Sequence, residues 1–125
     1  MNLVDSSGWL EYFADGPNAG FFEGPVRDLE RLVVPTLCLF EVFKRIAQQR
    51  GEGDALQAIA VMQQGAVSQL TPSLALDAAR LSIGMRLPMA DSVILATARA
   101  HGATLWTQDA DFREIEGVRF VEKKG

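Results

Sequence analysis

Four acids, Asp5, Glu41, Asp91 and Asp109, with Asp111 close behind the last, stand where this chain can build a single metal site. Asp5 ends the short apolar run Asn2-Leu3-Val4. Glu41 lies in a helical segment just after the apolar run Leu32-Val33-Val34. Asp91 is in the opening of a helix, Pro88-Met89-Ala90-Asp91-Ser92-Val93-Ile94-Leu95. Asp109 and Asp111 follow the strand-like run Ala103-Thr104-Leu105-Trp106-Thr107. Carboxylates brought together from distant parts of a chain repel unless a cation lies between them, and hard oxygen donors of this kind suit Mg²⁺ or Mn²⁺. Such a site points to metal-assisted phosphodiester chemistry.

The elements needed to position these acids follow from the pattern of the chain. Strand-like runs at 2–5, 31–35, 66–70, 103–107 and 118–121 alternate with helical stretches near 7–14, 36–50, 53–64, 73–86 and 89–101, and a further short helix fits 18–23 or 25–30. Alternation of this kind predicts an α/β layer structure with a mainly parallel sheet. Ser6 or Ser7 suits the first helix cap, Pro35 ends the second strand, Gly51 and Gly53 bracket a turn between helices, and Gly102 falls just beyond the helix that starts at Pro88. At 125 residues, with no repeat, low-complexity stretch or long linker, the chain reads as one domain over 1–125.

Each acid has a plainer role to weigh against the catalytic one. Asp5 can cap a helix, but it also sits at a strand's carboxyl end, where open parallel sheets bind ligands. Glu41 can pair with Arg45 one turn on, worth only a few tenths of a kcal/mol, on a helix whose apolar stripe is read as Leu39, Phe43 and Ile46, widened by Phe40 and Ala47. Leu37 and Cys38 on Glu41's own side suggest that this part of the helix is covered all round. Asp91 is the most informative, because Val93, Ile94, Leu95, Ala96 and Ala98 leave it almost no polar company. A carboxylate on a buried stripe is costly unless it is paired, hydrogen-bonded or bound to metal. A helix dipole explains tolerance of the charge, not its isolation. Ser6 and Thr107 are expected to hydrogen-bond a ligand carboxylate, or a water on the metal, from behind. His101 reads as a residue of a helix's last turn, Trp9 and Trp106 as core or core edge, and acids such as Glu11 as solvated faces.

Hydrophobic content of 48% and charged content of 22% exclude a disordered chain, and no apolar run approaches the ~20 residues that span a bilayer. No export signal is visible and Cys38 is the only cysteine, read as a buried inert thiol, so a cytoplasmic setting is expected. The formal net charge of −4 opposes broad nucleic-acid binding, yet setting the five candidate acids aside leaves +1.

Together, Val4-Asp5-Ser6-Ser7, Glu41-Val42-Phe43-Lys44, Leu87 to Ala96 and Leu105 to Phe112 resemble the PIN domain over essentially the whole chain. Among PIN domains, the short single-domain form is similar to bacterial and archaeal VapC-type toxins. The resemblance implies a three-layer α/β/α fold with about five parallel strands. It implies a Mg²⁺- or Mn²⁺-dependent endoribonuclease, a homodimer, and a cognate antitoxin that inhibits it. It maps the catalytic acids onto Asp5, Glu41, Asp91 and Asp109, with Asp5, Asp91, Asp109 and the accessory Asp111 around metal. Rival readings are weaker. A receiver domain needs paired acids after its first strand and a haloacid-dehalogenase-type phosphatase needs D-x-D there, but Ser6-Ser7 follows Asp5. A PIN-fold nuclease acting on another nucleic acid, and a dimeric binding module with an incomplete site, stay open as alternatives.

Overall fold

The computed structural model describes residues 1–124. Its elements are β1 (Asn2–Val4), α1 (Ser6–Phe13), α2 (Ala19–Arg27), β2 (Leu32–Pro35), α3 (Thr36–Arg50), α4 (Glu52–Met62), β3 (Ala66–Ser68), α5 (Pro72–Met85), α6 (Met89–Ala100), β4 (Thr104–Thr107) and β5 (Val118–Phe120), with 3₁₀ turns at Leu29–Arg31 and Ala110–Phe112. The strands form one sheet in the order β3-β2-β1-β4-β5. Every pairing is parallel, with Leu3 opposite Val33 on one side and Leu105 on the other.

This order decides where a ligand can sit. From β1 the chain steps through β2 to β3 at one edge, then crosses back by α5 and α6 to β4 on the other side of β1. Right-handed crossovers therefore put α1–α4 on one face and α5–α6 on the other. The direction reverses between β1 and β4, and the crevice beyond the carboxyl ends of such a strand pair is the usual ligand site of an open parallel sheet. Leu3, Val4, Leu32, Val33, Val34 and Leu105 are fully buried, as expected for short strands covered on both faces. Burying such side chains contributes about 1.5–3 kcal/mol each.

Several local expectations need correction. Asp5, not Ser6 or Ser7, caps α1: its backbone is extended and its carboxylate accepts the Gly8 N–H at 3.0 Å, so β1 stops one residue early. A single helix, α2, crosses both stretches proposed for a short helix; the burial of Phe22, Pro25 and Val26 holds it together despite the internal proline. The buried stripe of α3 is Cys38, Val42 and Ile46, while Phe40 is 61% exposed. Thr71 caps α5 by accepting the Leu74 N–H at 3.2 Å. Gly53 lies inside α4, and Gly51 alone makes the turn at a φ of 94° that suits glycine.

Gly8 marks the closest approach behind the site. A Cβ there would lie 2.6 Å from Phe22 Cε1 and 2.7 Å from Val4 Cγ1. All three residues are buried, so the neighbours have little room to move. Gly8→Ala is expected to destabilise the protein by about 1–3 kcal/mol, read as a lower urea midpoint at unchanged slope. An unchanged midpoint would show that α1 can shift away from α2 freely.

Candidate metal centre

Asp5 enters the site from β1 and Asp109 from the loop after β4, on either side of the point where the strand order reverses. Asp91 comes from the first turn of α6, where its backbone meets the positive end of the helix dipole. The rest of α6 from Ser92 to Ala98 is buried, in keeping with the apolar run of its sequence. Oxygens of Asp91, Asp109 and Asp111 lie within 4.8 Å of one another.

Asp5 lies deeper, 3% exposed, and its carboxylate is saturated by donors. Thr107 Oγ1 donates to Oδ2 at 2.6 Å, Ser7 Oγ to Oδ1 at 2.7 Å and the Gly8 amide to Oδ1 at 3.0 Å. Thr107 Oγ1 in turn accepts the Asp109 N–H at 2.9 Å, and Asp109 Oδ1 accepts the Asp111 N–H at 2.9 Å. One unbroken chain of contacts thus runs from Asp5 through Thr107 to both acids of the loop. Asp5 and Glu41 fall outside the tight group of three. Glu41 is held separately, accepting the Ser6 hydroxyl at 2.7 Å. No Glu41–Arg45 ion pair is found among the described residues. Cys38 is fully buried, and burial pushes its thiol up beyond any useful acidity, as an inert core residue requires.

Two of the acids are protonated more readily than free carboxyls. Burial is the main reason that Asp5 is pushed up to about 6, its three donors pulling the other way. Asp91 is pushed up to about 8, first by burial, then by sharing a proton with Asp111 and by the negative charges of Asp109, Asp111 and Asp5. No lysine or arginine forms an ion pair with any of the five acids among the described residues. A set of oxygen donors that repel one another and lack an internal counter-charge fits a hard divalent cation.

Other residues at the site were not legible as such. Asn18, 3% exposed, donates through Nδ2 to Gln108 Oε1 and to the Glu122 carbonyl, each at 3.0 Å. Its own amide donates to Glu11 Oε2 at 2.7 Å, so Glu11 is a structural acceptor rather than a solvated acid. These bonds tie the α1–α2 loop and the C-terminal segment to Gln108, between Thr107 and Asp109. Asn18 follows Gly16-Pro17, which signals a turn but not a buried amide. His101 caps the far end of α6 about 15 Å from Asp91 and contacts Ser68 Oγ at 3.1 Å.

The raised carboxyls set a pH dependence. A carboxyl raised above its ordinary value stabilises the fold while protonated and loses that contribution as pH rises through its folded value. Metal-free protein is therefore expected to lose thermal stability between about pH 4 and pH 8, from the ordinary carboxyl value up to the folded values of Asp5 near 6 and Asp91 near 8. Millimolar Mn²⁺ should restore it, by more at pH 8 than at pH 5.5. Asp91→Asn should raise the metal-free Tm at pH 8 and remove most of the Mn²⁺ increment. A Tm indifferent to Mn²⁺ at pH 8 would show that these acids do not hold a cation.

The described geometry has parallels among known proteins. No curated protein sequence matches the chain significantly. Solved structures match throughout: a toxin–antitoxin complex from Klebsiella pneumoniae at a TM-score of 0.79 and 21% identity, covering 95% of this chain and 96% of that one. Mycobacterium tuberculosis VapC20, a sarcin-ricin loop cleaving toxin, matches at 0.77 and 18%, covering 93% and 95%. VapBC2 from Rickettsia felis, bound to a DNA fragment from its promoter, matches at 0.74 and 12%, covering 97% of each chain. At these identities the likeness establishes a shared fold. The sequence model of the PIN domain matches residues 3–118, and the chain belongs to the PIN domain family.

Proposed function

We propose that the chain is a Mg²⁺- or Mn²⁺-dependent endoribonuclease and the toxin of a VapBC-type toxin–antitoxin pair. The observation that carries this reading is the convergence of Asp91, Asp109 and Asp111 beyond the β1–β4 crevice, with Asp5 hydrogen-bonded behind them. Family membership and the toxin folds it resembles support the same reading.

Asp91, Asp109 and Asp111 would hold the cation, and Asp5 would lend its negative charge from below through Thr107. A bound divalent ion supplies Lewis-acid stabilisation of phosphate charge and makes water more acidic at neutral pH. Glu41, which accepts the Ser6 hydroxyl, would orient a water and accept its proton. The described site holds no histidine that could deprotonate a ribose 2′-hydroxyl, since His101 is at the other end of α6. With water as the attacking group, the products would carry a 5′-phosphate and a 3′-hydroxyl.

An antitoxin partner is proposed with this reading, because the Klebsiella and Rickettsia structures are toxin–antitoxin assemblies. A homodimer is proposed too: Leu76 and Ile83, two turns apart on α5, are 59% and 82% exposed, and Met89 at the start of α6 is 76% exposed. Among the described residues no helix is long and apolar enough to cross a membrane, and a cytoplasmic location remains the expectation.

The test is cleavage of a mixed RNA pool by antitoxin-free protein with Mn²⁺, with Mg²⁺ and with EDTA. Cutting should require the metal, and Asp91→Asn should reduce it by about 10² or more while the protein stays folded. Products bearing 2′,3′-cyclic phosphate, or an Asp91→Asn variant as active as wild type, would overturn the mechanism.

A further inference from the structure

A cavity of about 560 Å³ opens between α1, α3, α4 and the C-terminal segment. Ser7 and Gln108 form part of its wall, and both also belong to the acid site: the Ser7 hydroxyl donates to Asp5, and the Gln108 amide donates to Ser7 Oγ at 3.4 Å. None of the five acids lines the cavity, but Ser7 and Gln108 join its wall to the hydrogen bonds around Asp5.

Its charge is unusual for this chain. Arg45 and Arg50 of α3 and Lys123 of the C-terminal segment line it. None of them forms an ion pair among the described residues, whereas Arg27, Arg31, Arg80 and Arg113 each bind an acid. Two acids share the lining, Glu11, which accepts the Asn18 backbone N–H, and Asp54 in the first turn of α4, so three basic and two acidic side chains leave it one net positive charge. In a protein of net charge −4, a lining with one net positive charge is positive relative to the chain as a whole. Arg45 and Arg50 are about 7.5 Å apart along the helix axis, enough to serve separate anionic groups. Gln49 and Gln57 add side-chain amides that both donate and accept, as base edges require.

Given the ribonuclease reading above, on which this rests, we propose that the cavity holds the RNA strand on one side of the scissile phosphate. Arg45, Arg50 and Lys123 contact its backbone phosphates, and Gln49 and Gln57 contact its bases. Phosphate contacts set register and affinity, and base contacts set the preferred sequence. The two amides are therefore the specificity-determining residues on that side.

The experiment compares wild type with the triple variant Arg45→Gln, Arg50→Gln, Lys123→Gln. Binding of a labelled single-stranded RNA of mixed sequence is followed by anisotropy in EDTA over a salt series, and cleavage is followed in Mn²⁺. The magnitude of the slope of log affinity against log salt should fall by about 2, because each lost contact to a single strand contributes ~0.7. KM should rise about tenfold or more with kcat within about twofold, the signature of lost substrate binding rather than lost chemistry. Gln49→Ala with Gln57→Ala should change the distribution of cleavage sites. Lys44→Gln, whose amine lies 5.8 Å over the Phe40 ring, and Arg80→Gln, paired with Asp77, are controls outside the cavity and should change nothing. All the substituted side chains are exposed, so folding should be preserved. If wild type cuts RNA and the triple variant keeps its affinity, salt slope and KM, the cavity assignment is overturned, the nuclease reading stands, and the cavity is left as a seat for a protein segment. If wild type neither binds nor cuts RNA, both fall.

Discussion

The buried carboxylate of Asp5 is the constraint on which this architecture turns. A charge placed 3% exposed at the end of a parallel strand is tolerable only because three donors converge on it. Those donors come from α1 and from β4, so satisfying one side chain fixes the start of a helix and the neighbouring strand at once. Thr107 is the pivot. Its hydroxyl donates to Asp5 and accepts from the Asp109 backbone, turning the end of β4 so that Asp109 and Asp111 face Asp91.

The fold also concentrates negative charge where it is least comfortable. Asp91 precedes the buried stretch Ser92–Ala98, beside two more carboxylates and above Asp5, and among the described residues no basic side chain forms an ion pair with it. Structural acids acquire partners, as Asp28 and Asp77 do with Arg31 and Arg80 on the surface. A group left without one is the pattern of a site that takes its counter-charge from solution. A cation bound at such a position would recover the stability given up there.

Much of this was legible from residue order. The five strands and the longer helices follow from alternating apolar runs and helical stretches, and Asp91 stood out because so little that is polar accompanied it in its helix. The failures have physical causes. Glycine and proline obscured α2, which forms because tertiary burial of Phe22 and Val26 outweighs weak local propensity. The face of α3 was misjudged because apolar residues lie on more than one side of that helix. Phe40 is exposed, whereas Leu39 and Phe43 are partly covered, and only the packing against α1 and α4 distinguishes them.

Sequence alone determined the fold class and the parallel sheet and singled out five candidate acids, because these depend on periodicity and on residue types that carry their chemistry wherever they stand. Tertiary structure decided which acids stand together: Asp91, Asp109 and Asp111 form the close group, Asp5 supports them from below, and Glu41 is held apart by Ser6. It also decided that Arg45, Arg50 and Lys123 share one cavity, and that Asn18 and Glu11 brace Gln108. The reason is that these relations join residues separated by as many as 102 positions, and distance along the chain carries no information about them until the sheet order is set.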